Sequence, residues 1–306
     1  MKIAILMSTY NGESFLEEQI ESILNQTCSD NITLLIRDDG STDKTVSILE
    51  NYSKKNKNIK YTVGKSEGAA RSFITLLKEN MGYDFYAFSD QDDVWNSDKL
   101  QRGLSKIRSI NRPALYCSNC ELVDENLKSL GRLTHRKVPT YNLVSILCLN
   151  SCAQGCTSIF NRELAEIVQY NNLPETIIMH DSFITCLCAM IGGEIVYDHN
   201  STMKYRMHNN NVFGMVTLKQ NFAKTIKNRY KEITTKRKIS MSDQVDSILN
   251  VFNPYVSQEH KKICDIVVKA KFSKLDRLKL FFNPDLKHDT LNKTLTKKLE
   301  ILLGNG

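Results

Sequence analysis

No stretch of this sequence is long and apolar enough to cross a bilayer. The most apolar segments, around residues 143–149 and 183–191, are broken by Ser, Thr or Cys. They fall short of the ~20 residues a spanning helix needs and fit buried helices instead. No secretory leader is visible either: the apolar run at 3–7 leads straight into Ser8-Thr9-Tyr10-Asn11-Gly12, with no small-residue cleavage site. The expectation is a cytoplasmic chain. Proline and glycine are scarce, at 5 and 13 of 306 residues, which excludes a collagen-like or low-complexity chain. Phosphate-cradling glycine loops are missing. No Gly-x-Gly-x-x-Gly follows the first predicted strand, and no Gly-x-x-x-x-Gly-Lys-Ser/Thr occurs anywhere. That argues against a hydride-transfer dehydrogenase and a P-loop NTPase. Cys117-x-x-Cys120 lacks a second pair at matching spacing, so the 9 cysteines read as reduced thiols.

What is present suits a globular protein of one large domain or two ordinary ones, with 41% hydrophobic and 25% charged residues. The net charge of +7 is uneven. Residues 219–306 hold 19 basic and 9 acidic side chains, and residues 1–218 hold 22 and 25, so the two stretches carry +10 and −3. An acidic body with a basic tail suggests a polyanionic neighbour, either nucleic acid or an anionic membrane surface.

The first 125 residues alternate short apolar runs with amphipathic segments. Strands are predicted at 3–7, 33–37, 59–63 and 84–89, and helices at 13–26, 43–52, 68–81 and 98–107. This βα alternation predicts an α/β fold: a doubly wound, mostly parallel sheet with ligands at the C-terminal strand ends. After Pro113 the rhythm loosens. Short strands are expected at 114–118, 121–123, 157–160, 194–197 and 203–206, and helices near 141–148 and over 181–191. Beyond about residue 219 the pattern is helical, Lys-rich and short of strands.

Three polar clusters follow predicted strands and should converge on one crevice. The first is Ser8-Thr9-Tyr10-Asn11-Gly12-Glu13. The second is Asp38-Asp39-Gly40-Ser41-Thr42-Asp43, which reads equally as a turn with a helix cap and as a functional loop. The third is Ser89-Asp90-Gln91-Asp92-Asp93-Val94-Trp95. Its three carboxylates repel one another at the end of a buried strand. A divalent cation relieves that repulsion, and oxygen ligands select Mg²⁺ or Mn²⁺. A Trp at the sixth position excludes an EF-hand. An apolar strand ending in Asp-x-Asp also superficially matches haloacid-dehalogenase phosphatases. That motif belongs on a first strand, however, and would leave residues 38–43 without a role.

Together these motifs resemble a family 2 glycosyltransferase of the GT-A fold. More narrowly, Ser-Asp-Gln-Asp-Asp-Val-Trp, Met-His-Asp at 179–181 and Tyr205-Arg206-Met207-His208-Asn209-Asn210-Asn211-Val212-x-Gly214 resemble bacterial rhamnosyltransferase-like members. The resemblance covers roughly residues 2–215 and implies a domain at 1–218, with a nucleotide-sugar half at 1–112 and an acceptor half at 113–218. Residues 219–306 form a basic helical extension. The resemblance further implies that Tyr10 stacks on the nucleotide base with Ser8 nearby, and that Asp39 accepts from the ring N–H of uracil or thymine. Arg71 approaches the nucleotide or phosphate. Asp90 and Asp92 form the Asp-x-Asp motif, with Asp92 in direct metal contact and Asp90 also facing the donor. Asp93 orients the donor sugar and Trp95 lines the acceptor side. Asp181 is the implied base of inverting transfer. His208 completes the metal shell or contacts the diphosphate, with Arg206 near it, or is a surface-loop His. His180 reads as a packed neighbour, and Gln154-Gly155-Cys156-Thr157 resembles an acceptor-side segment.

The implied donor is a dTDP- or UDP-linked sugar, with dTDP-L-rhamnose the narrower expectation. The implied acceptor is a lipid-linked saccharide. In the tail, Phe222, Ile226, Tyr230 and Ile233 keep helical spacing among lysines, and Leu275, Leu278, Leu280, Phe281 and Phe282 cluster among Lys271, Lys274, Arg277 and Lys279. Apolar faces edged by Lys and Arg suit either docking on an anionic leaflet or packing on the catalytic body. Nucleic acid is not expected, because no nucleic-acid-binding motif accompanies the charge.

Overall fold

The computed structural model describes residues 1–28, 30–135, 137–149, 153–208, 240–288 and 290–304. The motif residues at 209–214, the boundary near 219 and the helical pattern through Phe222 and Ile233 lie outside the described residues. Among those described, nine strands form one sheet.

Strand β1 (Lys2–Thr9) shows why the sheet is doubly wound. Ile3, Ile5 and Met7 enter one core, and Ala4 and Leu6 enter the other, all fully buried. A strand covered on both faces reads as a continuous apolar run. β2 (Asn31–Asp38), β3 (Ile59–Val63) and β4 (Phe85–Ser89) join it in the order β3-β2-β1-β4, all parallel. Helices α1 (Leu16–Leu24), α2 (Thr45–Lys55) and α4 (Lys99–Ile107) cover the first core through Leu16, Ile20, Leu49, Leu100 and Leu104. Helix α3 (Ala69–Glu79) covers the second through Phe73, Ile74 and Leu77.

Beyond β4 the sheet turns mixed. β8 (Ile159–Asn161) runs antiparallel between β4 and β6 (Ala114–Val123), and β9 (Glu194–Arg206) runs parallel to β6. Two short strands, β5 (Val94–Trp95) on β9 and β7 (Ser129–Leu133) on β6, escape the sequence pattern. So does helix α6 (Arg162–Gln169). Residues 114–118 and 121–123, expected as separate strands, are one strand. The intervening Asn119 is fully buried, but its side chain is satisfied by Cys120, Thr134 and His135. The same holds for 194–197 and 203–206. The register shifts between Ser118↔Asp198 and Asn119↔Ser201, so a bulge carries the polar residues that look like a break.

Helices α5 (Leu143–Leu149) and α7 (His180–Met190) lie over the second core. The C-terminal helices α8 (Met241–Phe252), α9 (Gln258–Lys269), α10 (Lys274–Phe282) and α11 (Leu291–Leu302) join them. Ser240, Ser257, Ser273 and Thr290 cap their N-termini, each accepting a backbone N–H. Val245, Phe252, Leu280 and Ile301 belong to the same buried cluster as Phe73 and Phe88, so the described part of the basic tail packs on the body.

Candidate functional site

The loops after β1, β2 and β4 meet at one end of the sheet. Two of them are laced together. The Asn11 N–H donates to Ser41 Oγ and its side chain accepts from the Thr42 N–H. Gly12 N–H donates to Thr45 Oγ1, and Glu13 exchanges bonds with Asp43 and the Lys44 amide. The doubled carboxylates divide the work. Asp38, fully buried, accepts from Thr9 Oγ1 and from the amides of Gly40 and Ser41, which fixes the turn. Asp39 accepts from the amides of Glu67 and Gly68 at 3.0 and 2.8 Å and from Arg37 at 2.5 Å. Burial pushes the Asp39 carboxyl up, but these donors outweigh it and hold it below the ordinary carboxylate range. Tyr10 stands at the rim, 54% exposed, free to stack on a planar ring.

The acidic turn is held by residues distant in sequence. Gln91 bonds both polar groups of the Tyr10 backbone, accepting from N at 2.9 Å and donating to O at 3.0 Å. Asp92 Oδ2 lies 2.8 Å from His208 Nε2. Arg206, only 1% exposed, fastens the turn to β9. Its backbone N–H donates to Asp93 Oδ1, its Nε donates to the Asp92 carbonyl, and its guanidinium lies 4.5 Å from the Phe15 ring centroid. The guanidinium also donates to Glu18 and to the Glu125 carbonyl. Arg206 is therefore an internal bolt, committed to protein rather than to a diphosphate.

Beneath the turn lies a buried charge cluster. Ligand atoms of Asp90, Asp93 and Cys156 lie within 4.8 Å of one another. Asp93 is fully buried and its Oδ2 has no protein partner. Desolvation, then Asp92 and Asp181, push Asp90 up to about 7; desolvation, then Asp92 and Asp90, raise Asp93 well above the carboxylate range. The internal counter-charge is Lys99, fully buried, whose Nζ donates to the Cys156 carbonyl at 2.7 Å and sits 4.6 Å from the Trp95 ring centroid. Burial lowers Lys99 to about 8.

Asp181 faces this cluster from the first turn of α7. Its Oδ2 accepts from the Gly155 N–H at 3.2 Å, which ties the 154–157 segment to it. His180 is packed as expected: it stacks on Phe73 at 3.9 Å, meets Phe88 edge-on, and neither ring nitrogen has a partner. Its Nε2 lies 2.3 Å from where a Cβ on Gly155 would be, so only glycine lets the 155 amide approach Asp181. Burial lowers His180 to about 4, so it is neutral at pH 7.

The crevice thus gathers Tyr10, Asp39, Asp90, Asp92, Asp181 and His208, while Asp93, expected to orient the donor sugar, lies fully buried beneath the turn. Ser8 bonds Ser72 at 2.7 Å, and Arg71 projects from α3 to the Glu175 carbonyl at 3.4 Å. Trp95, expected on the acceptor side, is 3% exposed and lies in the core against Lys99. Cys117 and Cys120 enter opposite cores, so the pair cannot close on one ion. Gln91 and Lys99 carry no sequence signal: one is the variable position of Asp-x-Asp, and the other is a residue type usually exposed.

Asp92 and His208 present an oxygen and a nitrogen side by side, while Asp90 gathers with Asp93 and Cys156 beneath them. The unpartnered Asp93 Oδ2 lies in the same turn. Hard oxygen with one imidazole suits Mn²⁺ or Mg²⁺.

Comparison with known proteins agrees with this geometry. A model described as glycosyl transferase family 2 matches residues 4–168. The chain is 30% identical over 294 residues to dTDP-rhamnosyl transferase RfbG of Shigella flexneri, covering 89% of this chain and 95% of that one. It is 32% identical over 158 residues to the Escherichia coli UDP-Glc:alpha-D-GlcNAc-diphosphoundecaprenol beta-1,3-glucosyltransferase WfgD, covering 51% of this chain and 58% of that one. The crystal structure of S. aureus TarS 1-349 in complex with UDP-GlcNAc superposes with a TM-score of 0.57 at 17% identity, covering 99% of this chain and 89% of that one. A family model spanning more than half the chain, on a GT-A sheet with its acidic turn at the end of β4, leaves one reading: the protein is a glycosyltransferase and belongs to family 2.

Proposed function

We propose that this enzyme is an inverting glycosyltransferase that moves L-rhamnose from dTDP-rhamnose to a hydroxyl of a lipid-linked saccharide in cell-surface polysaccharide synthesis. Capsule, O-antigen and exopolysaccharide are the products in view. It works from the cytoplasm as a peripheral protein on the inner face of the membrane. Residues 1–112 hold the donor and 113–218 the acceptor. The observation that carries the reaction is the meeting of Asp92 and His208, from two different strand ends, beside Asp90 and opposite Asp181. Similarity to RfbG over nearly the whole chain supports the donor. The lipid-linked acceptor rests on WfgD, whose name includes a diphosphoundecaprenol.

In this reading Tyr10 stacks on the base, with Ser8 beside it and Arg71 toward the phosphates. Asp39 accepts from the base N–H and must share a carboxylate already bonded to the 67–68 amides. Asp92, Asp90 and His208 hold Mg²⁺ or Mn²⁺, which when bound offsets the charge of the diphosphate. Asp93, fully buried, bears on the donor only indirectly, by accepting from the Arg206 N–H that fastens the turn to β9. Asp181 takes the proton from the acceptor hydroxyl as that oxygen attacks the anomeric carbon opposite the leaving diphosphate. The Gly155 amide holds the carboxylate toward the crevice.

A second reading keeps the chemistry and changes the donor to a UDP-hexose or UDP-N-acetylhexosamine, favoured by the UDP-glucose named for WfgD. Thermal unfolding with a panel of sugar nucleotides and Mn²⁺ or Mg²⁺ separates the two, since a ligand that binds the native state raises the midpoint. A rise with dTDP-rhamnose is expected. A rise only with UDP-hexoses would replace the donor, and no rise with any sugar nucleotide would overturn the reading.

A further inference from the structure

The C-terminal helices bury one side and leave the other apolar. On α10, Leu280 is buried while Leu275, Leu278 and Phe282 are 63%, 42% and 74% exposed. Their spacing of three and four places them on one stripe, opposite the buried side. On α11, which packs on α10, Ile301 is buried while Leu291, Leu295 and Leu299 are exposed at steps of four. Of the sixteen large apolar side chains exposed among the described residues, eight lie between Phe272 and Leu303. So dense a set on one structural unit is not ordinary surface scatter.

The charges around these stripes identify what covers them. Lys274 and Lys279 are exposed on either side of the α10 stripe, Lys279 lying 2.7 Å from Asp276; on α11 Lys298 flanks the leucine stripe and donates to the Asn283 carbonyl, while Lys293 and Lys297 lie on the other side of the helix. Residues 269–304 hold nine basic and four acidic side chains. An aqueous protein partner would have to desolvate many of these ammonium groups. A bilayer surface accepts leucines below the headgroups while the lysines reach phosphate at the same level.

We propose that the outer faces of α10 and α11 form the surface by which this enzyme lies on an anionic leaflet, with Leu278, Phe282 and Leu295 entering the acyl boundary. This deepens the peripheral location in the proposed function and rests on it for the meaning of the contact, though not for the contact itself. The inner sides of the same helices join the body: α10 packs on α9, α11 packs on α10, and Leu280 and Ile301 belong to the buried cluster.

Flotation of the full chain with phosphatidylglycerol vesicles, and with phosphatidylcholine vesicles as control, tests this. The intact protein is expected to float with the anionic vesicles and to be released at high salt. A Leu278→Ser, Phe282→Ser, Leu295→Ser variant is expected to lose partitioning at least about tenfold with an unchanged unfolding midpoint. Lys274→Glu with Lys279→Glu is expected to abolish the preference for anionic lipid. Equal flotation of the serine variant and the intact chain overturns the proposal, as does no flotation of the intact chain. A lipid-free dimer that the serine variant dissolves assigns the face to a second copy instead. The nucleotide-induced thermal shift, measured on the same samples, is expected to be unaffected; its absence from the intact chain would count against the donor reading and leave the flotation result standing.

Discussion

The side-chain amide of Gln91 bonds both polar groups of the Tyr10 backbone, at 2.9 and 3.0 Å, and so joins the acidic turn to the rim on which Tyr10 stands. The contact needs Gly12, because a Cβ there would lie 2.3 Å from Gln91 Oε1. Gly12→Ala is therefore expected to expel the Gln91 side chain and loosen Tyr10. A rise in donor KM of about 10- to 100-fold, with a smaller change in kcat, is the expected outcome in steady-state kinetics. Gln91→Ala removes the obstacle, so adding Gly12→Ala to it is expected to cost little more. Fully additive effects would separate the two residues.

Asp181→Asn retains the shape of the side chain but not its capacity to take a proton. The expected result is a loss of about 10²- to 10⁴-fold in kcat with the nucleotide-induced thermal shift retained. Asp92→Ala and His208→Ala are expected to behave the opposite way, losing the metal-dependent part of that shift. Calorimetric titration with Mn²⁺ checks the split directly.

His180 supplies a pH dependence whose sign is definite. Its pKa falls from 6.5 to about 4 because burial penalises the charged ring. Between those values the unfolded chain binds a proton that the native chain does not, so stability rises with pH across pH 4–6.5 and falls on acidification. The full contribution is of order 3 kcal/mol. His180→Phe is expected to flatten that portion of the pH–stability curve, measured by urea unfolding. It also removes two buried nitrogens that have no partner. An unchanged slope would show that another group carries it.

Lys99→Met deletes the internal cation beneath Asp90 and Asp93 and the bond to the Cys156 carbonyl. The metal-free enzyme is expected to lose about 3 kcal/mol of stability, as when one partner of a buried charge group is removed. Added Mn²⁺ is expected to restore more stability to the variant than it gives the intact protein. Trp95, the only tryptophan in the chain, sits 4.6 Å from Lys99 and reports both changes by fluorescence.

Strands β1 to β4 were legible because strands covered on both faces leave uninterrupted apolar runs, each ending in a polar cluster. His208 and Asp181 lie beyond those strands, after β9 and on α7, and only the family resemblance singled them out; the fold brings His208 to Asp92. The acceptor half was less legible, because Asn119 and the bulge near Asp198 place polar residues inside continuous strands. Lys99 was invisible for a related reason: a lysine beside Leu100 and Leu104 reads as the exposed edge of an amphipathic helix, and only the neighbouring buried carboxylates bring it inside. The motif residues from Asn209 onward and the boundary near 219 fall outside the described residues.

Asp92 and His208 are 116 residues apart, and β9, which ends two residues before His208, pairs with β5 beside the acidic turn. During synthesis the Asp-x-Asp turn emerges long before its imidazole partner. A nascent chain ending before residue 208 presents the acidic loop without the imidazole that meets it. The Asp92–His208 contact is thus made late, as a contact of high sequence separation, and is itself a marker of completed folding.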